Sequence, residues 1–176
     1  MAPIAPHWVQ PSHPKIQEVV FSTDHDAKNY STKSFSRINL PPFAVFADLK
    51  FPPCEIIDER TYASVQVGKD LHMSLNSDLM FINHSCEPTI FFDISIQAIR
   101  SGPQGLKCGQ ELTFFYPSTE WSMVQAFDCH CGAINCLGRI SGARDLDANL
   151  LAGKWLNTHI RELLEAEECK EQLQQC

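Results

Sequence analysis

Cys129-His130-Cys131-Gly132-Ala133-Ile134-Asn135-Cys136 places three thiols within eight residues. Once the chain turns at Gly132 they lie close enough to share one tetrahedral ion, and thiolates in such a set suit zinc. Three ligands do not close a structural site, so a fourth must come from elsewhere. His130 is the nearest candidate along the chain, although a residue between two ligands is expected to point away from the ion. Metal-free buried thiols are the ordinary alternative, but burial preference explains poorly why they gather so closely around a glycine. In small finger peptides such a site contributes about 10–16 kcal/mol, so loss of the ion is expected to disorder at least the C-terminal part. Cys54, Cys108, Cys169 and Cys176 show no ligand spacing and are assigned no chemistry.

Two further segments stand out upstream: Asn83-His84-Ser85-Cys86-Glu87-Pro88 and Gly109-Gln110-Glu111-Leu112-Thr113-Phe114-Phe115-Tyr116. Together with the cysteine cluster and Leu137-Gly138, they resemble the SET-domain family of S-adenosylmethionine-dependent methyltransferases. The first is similar to that family's Asn-His-Ser-Cys-x-Pro-Asn motif, the second to its Glu-Leu-Thr-Phe-Asp-Tyr motif, the third to its zinc-binding post-SET segment. The order and separations agree, over about residues 35–140.

The resemblance implies a mainly β, β-clip-like fold of several small sheets, with the Asn-His segment threading beneath a loop in a pseudoknot-like crossing. It makes Cys86 the fourth ligand, so that Cys86, Cys129, Cys131 and Cys136 surround a structural zinc ion. S-adenosylmethionine would be held by Asn83 and His84, the latter largely through its backbone against the adenine, with Leu137 packed near that ring. Tyr116 takes the place of the active-site tyrosine, and Phe114 shapes the channel for the methyl-accepting nitrogen. Methyl transfer from a sulfonium is a direct displacement, so a site that aligns donor and acceptor and excludes water needs no strong nucleophile of its own. A lysine acceptor, with an ordinary pKa near ~10.4, must first shed a proton.

Four places depart from the family pattern. Its Gly-x-Gly turn, which meets the amino-acid end of the cofactor, falls on Pro42-Phe43-Ala44. Pro42 lacks an amide hydrogen, and neither Pro42 nor Ala44 readily adopts positive φ. Phe43 is thereby a cofactor-binding position where binding is altered or weakened. The tyrosine after the family's Gly-Glu pair falls on Arg60, with Tyr62 two positions later as its substitute toward the substrate or as a loop tyrosine facing solvent. Phe115 and Thr89 replace an aspartate and an asparagine, which makes the neighbourhood more apolar.

The elements that must position these residues read as a run of short strands. Prolines at 3, 6, 11 and 14 mark residues 1–14 as a flexible arm. Lys15 to Phe21 reads as a strand and Ser22 to Ser34 as a polar loop. Strand-like runs follow at residues 43–47, 54–57, 63–67, 71–75, 90–99 and 111–116, separated by turn residues. The expected SET-like domain spans residues 15–126 and its post-SET segment 127–142. Residues 143–176 form a C-terminal helical extension, because Leu146, Leu150, Leu151, Trp155, Leu156, Ile160, Leu163 and Leu164 recur at helical spacing. Gly153 and Asn157-Thr158 are places where it breaks in two, and packing on its own domain is favoured over capture of a partner.

The formal net charge of −7 disfavours direct nucleic-acid binding and suits a cationic substrate. No secretory signal and no membrane span are recognisable, which reads as a soluble intracellular protein, nuclear or cytoplasmic, with no membrane partner. The acceptor is expected to be a protein or peptide lysine, a histone among the candidates. The alternatives are a small-molecule acceptor, as in an enzyme of specialised metabolism, and a catalytically inactive interaction module. The sequence does not indicate an oligomeric state.

Overall fold

A computed structural model describes residues 5–21 and 32–174 of the chain. Its strands are short, and they are β1 (Gln17–Phe21), β2 (Thr32–Ser36), β3 (Val45–Asp48), β4 (Glu55–Ile57), β5 (Val65–Gln66), β6 (His72–Ser74), β7 (Asn83–His84), β8 (Ile90–Asp93), β9 (Ala98–Ser101), β10 (Thr113–Phe114), β11 (Phe127–Asp128) and β12 (Arg139–Ile140). Among the described residues they form five small sheets: β1-β2, β3-β9-β8, β4-β6-β5, β7-β10 and β11-β12. All the pairings are antiparallel except β7 with β10, which run parallel and set Asn83 opposite Thr113 and His84 opposite Phe114. Parallel neighbours need a long connection, and here it is the whole β8-β9 hairpin. This is the crossing that brings two distant motifs into contact.

One core of Phe46, Leu49, Met73, Leu75, Leu79, Ile82, Ile90, Phe92, Ile99, Leu112 and Phe114 lies between these sheets. Ile90, Phe92, Ile99 and Leu112 are fully buried, and each contributes about 1.5–3 kcal/mol of transfer free energy. The apolar stretch 90–99 does not run as one strand. Gln97 takes a left-handed conformation (φ 52°), closing a 3-10 turn at Ile94–Ile96 and folding β8 back on β9. Likewise the run 111–116 keeps only two strand residues, because Tyr116–Ser118 coil into a 3-10 turn.

The amino-terminal stretch departs from expectation. Residues 1–4 and 22–31 lie outside the described residues. Residues 5–14 are strapped to the body, since the buried Asp78 carboxylate accepts from Trp8 Nε1 (2.8 Å), Gln10 Nε2 (2.8 Å) and Ser12 N (2.7 Å). Proline content reported the absence of helix there but carried no information about these polar contacts. The loop expected up to Ser34 ends early: Thr32 to Ser34 belong to β2, and Ser34 is buried, with its hydroxyl donating to Phe81 O.

The C-terminal extension is two helices, α1 (Ala148–Leu151) and α2 (Thr158–Gln174), separated where Gly153 (φ 75°) and Asn157 had suggested. Leu151, Leu156 and Ile160 bury against Phe115, with Trp121, Leu137, Leu146 and Leu164 beside them. The extension enters through Gly142 (φ 121°), where an added Cβ would sit 2.6 Å from Trp121 O, so only glycine allows that approach. Among the described residues no helix is long and apolar enough to cross a membrane.

Candidate functional site

The β7-β10 pair brings the two upstream motifs, and with them the candidate site residues, side by side. Ser85 N donates to Phe114 O at 3.0 Å. Because backbone groups of successive strand residues face opposite edges, the N–H and C=O of His84 face away from β10. No other strand covers that edge among the described residues. This sets a donor and an acceptor side by side on a buried strand edge, a pattern complementary to the edge of an adenine.

The imidazole of His84 is used differently. It is buried, and Tyr116 N donates to its Nδ1 at 3.1 Å. The proton therefore resides on Nε2, 3.4 Å from Cys86 Sγ. Burial, then the nearby Lys154 charge, push this histidine down to about 3, so it stays neutral. Phe115, Tyr116 and Phe127 surround the ring at centroid distances of 5.7, 5.2 and 5.7 Å.

Cys86 lies at the end of the same motif. Its sulfur and those of Cys129, Cys131 and Cys136 all lie within 4.8 Å of one another, with Cys86 and Cys129 4.0 Å apart. Tetrahedral thiolates around zinc stand about 3.8 Å apart, given bonds of about 2.3 Å. Burial first pushes the thiols of Cys86 and Cys129 upward, to about 11 for Cys86. A bound cation reverses that preference, so the donor set fits the metal. Leu137 N donates to Cys86 Sγ at 3.4 Å, which brings the predicted adenine neighbour beside the same sulfur. His130 is exposed.

The Tyr116 ring lies tilted against Phe114 at 4.6 Å, and Phe114 in turn lies 4.3 Å from Phe92. Its hydroxyl donates to Ile82 O at 3.3 Å. Burial, then the charge of Glu120, hold that hydroxyl well above the usual tyrosine range; it is a hydrogen-bonding group and not a base. Asn83 is buried and gives its side-chain amide to Thr32 O at 2.6 Å, leaving its oxygen as the group able to meet a cofactor. Tyr62 is 45 % exposed.

In the turn that replaces Gly-x-Gly, Phe43 takes the positive φ, at 60°, a conformation costing an L-residue about 1–2 kcal/mol. Arg100 offsets this by donating Nε to Phe43 O at 2.9 Å and placing its guanidinium 5.8 Å over the ring. The turn thus places its left-handed residue at the middle position, a half-exposed aromatic, and not at Pro42 or Ala44 where the glycines would fall.

The chain is 44 % identical over 165 residues to methyltransferase flvH of Aspergillus flavus, covering 93 % of this chain and 89 % of that one. It is also 33 % identical over 120 residues to a histone-lysine N-methyltransferase, H3 lysine-36 specific, of Debaryomyces hansenii. The chain belongs to the SET-domain methyltransferase family. A Candida albicans protein of the same description is 30 % identical over 124 residues. Each of the two lysine-36 matches covers 55 % of this SET-domain chain but only 16 % and 14 % of the respective relative. Crystal structures of KRYPTONITE give TM-scores of 0.45 in complex with mCHH DNA, an H3(1-15) peptide and SAH, and 0.48 with mCHG DNA and SAH. They are 20 % and 24 % identical, each over 70 % of this chain and 29 % and 28 % of that one. No family model matches the chain.

Sequence reasoning missed the residues by which the extension of this SET-domain chain grips the site. Buried Asn157 donates Nδ2 to Phe92 O and Ser118 O, both at 2.9 Å, and accepts from Ile94 N at 3.0 Å. His159 Nε2 lies 2.9 Å from Thr119 O, and Lys154 Nζ donates to Cys86 O at 2.9 Å. The partners are main-chain carbonyls and an amide, which leave no trace in side-chain spacing.

Proposed function

We propose that this protein transfers the methyl group of S-adenosylmethionine to the side-chain amine of a lysine in a protein or peptide, with zinc as a structural ion. The observation that supports this best is that the Asn83-His84 edge, the Tyr116 turn and the four thiols share one residue, His84, which touches all three. When bound, S-adenosylmethionine supplies a methyl on a positively charged sulfur, open to direct displacement.

The chain's own groups then have distinct tasks. The outward amide and carbonyl of His84, with the Asn83 oxygen, hold and orient the cofactor, and Leu137 packs beside the adenine. Phe43 meets the amino-acid end of the cofactor. Tyr116 remains protonated, with its hydroxyl fixed on Ile82 O, so a lone pair of its oxygen can orient the incoming nitrogen. Phe114 and Phe92 keep water from that side, and Phe114, having no hydroxyl, leaves room for more than one methyl on the acceptor. Tyr62 stands at the acceptor entrance. The named specificity of the two H3 lysine-36 relatives makes a histone H3 peptide the first acceptor to test, and a nuclear location accords with it.

Calorimetry with S-adenosylmethionine on zinc-replete protein is expected to show one binding event. Tritium-methyl transfer to an H3 peptide containing lysine-36, against the same peptide with that lysine replaced by arginine, then decides the acceptor. Absence of cofactor binding with zinc intact would overturn the reading; binding with transfer only to other amines would overturn the acceptor.

A further inference from the structure

The site described so far lacks a group for the positive charge of the acceptor amine, since Tyr116 is neutral. One turn beyond it, Glu120 N donates to Tyr116 O at 2.9 Å. Residues four apart on such a turn share a face, and the charge of Glu120 is felt at the Tyr116 hydroxyl. The carboxylate is held from one side only. Gln66 N (2.8 Å) and Thr119 Oγ1 (3.0 Å) both donate to Oε1, while no donor to Oε2 is found among the described residues. The backbone there is fixed as well, because Glu120 O accepts from Ala143 N at 2.8 Å.

We propose that Glu120 receives the acceptor's ammonium group beside Tyr116, so that the site selects a cationic alkylamine over a neutral nucleophile. This rests on the assignment of Tyr116 to the active site. A carboxylate facing a closed structural pair would leave nothing to offer, and Glu120 has no such pair among the described residues. Arg60, whose charge reaches it, gives Nη1 to Ser122 O at 2.8 Å. The other titratable groups nearby are His72 on β6, opposite Gln66, and His159 on α2, which faces Thr119 O. Burial first lowers both histidines, which disfavours their charged forms. Burial also raises Glu120 to about 7, with the bonds from Gln66 and Thr119 and the charge of Arg60 opposing. An arriving ammonium favours the ionised form, the behaviour of a receptor for positive charge.

The experiment is an NMR titration at pH 8 with n-butylammonium, the chemical equivalent of a lysine side chain, and with 1-butanol as its neutral counterpart. It is run on the intact protein with and without S-adenosylhomocysteine. Wild type is expected to prefer the ammonium by about tenfold or more, roughly one unit of log affinity. Glu120→Gln, which keeps a carbonyl oxygen for Gln66 and Thr119, is expected to lose that preference while zinc content stays unchanged. Glu120→Asp, which keeps the charge on a shorter arm, should retain part of it. Equal preference in wild type and Glu120→Gln, or no ammonium binding by wild type, would overturn the inference. Failure to bind S-adenosylhomocysteine would instead count against the proposed methyl transfer, and the titration without it still decides the role of Glu120.

Discussion

The β7-β10 crossing and the C-terminal extension hold the same two points of the molecule by different means. Cys86 is gripped by three thiols from residues 129–136 and, on its carbonyl, by Lys154. The Tyr116 turn is gripped through its amide by His84 and, two and three residues later, by Asn157 and His159. In the crossing the residue type is the chemistry: a thiolate for a metal, an imidazole with a fixed tautomer, a phenol. In the extension a side chain meets main-chain carbonyls that any sequence would present. The crossing defines the site, and the extension stiffens it.

That contrast can be broken from either side. The largest effect should follow zinc removal, or Cys131→Ser. Site formation of this kind is worth about 10–16 kcal/mol in finger peptides, and a site inside a larger domain is expected to forfeit at least several kcal/mol of stability. Cofactor binding, followed by calorimetry, should vanish with it; retained binding would separate the metal from the cofactor edge at His84. Tyr116→Phe should lower turnover by about 10²-fold, or roughly 2.7 kcal/mol, with cofactor affinity little changed. Unchanged turnover would remove the hydroxyl from the reaction.

Asn157→Ala should cost about 1–3 kcal/mol in denaturant unfolding, because Phe92 O and Ile94 N lose a buried partner. It should lower turnover more than it weakens cofactor binding, since Ser118 lies on the Tyr116 side. If cofactor affinity falls in step, the extension braces the whole domain and not that turn. The smallest effect concerns pH. Glu120 is raised from 4.5 to about 7 in the folded chain, so its favourable contribution is complete below pH 4.5 and is lost as pH rises through 7. Urea midpoints of wild type should drift downward over that window relative to Glu120→Gln, by about 1 kcal/mol after allowance for its partial exposure.

The gathering of the four thiols was legible because metal chemistry restricts residue type: a thiol cannot be exchanged for a serine at Cys129, and spacing in the chain then limits geometry. The break of the extension at Gly153 and Asn157 was legible because backbone propensity is local. The grip of Asn157 was not, since its partners Phe92 and Ser118 are recruited through carbonyls. Phe115 shows the boundary between the two cases. Its departure from an aspartate was visible, and its meaning became clear only when Leu151, Leu156 and Ile160 were found packed on it. The strand lengths were overestimated for a related reason, as a continuous apolar stretch such as 90–99 does not announce a left-handed residue like Gln97.

The strap at Asp78 gives the amino terminus a use that its composition does not suggest. Its carboxylate sits at the head of the segment that runs through Ile82, the partner of the Tyr116 hydroxyl, to Asn83 and His84. Trimming the chain to begin at Lys15 would leave the buried Asp78 side chain without three of its donors, and the segment leading to Asn83 and His84 would bear the disturbance. A change made some seventy residues upstream in the chain would then be read out as lost cofactor affinity, and the indole of Trp8 provides a fluorescent signal of when the strap lets go.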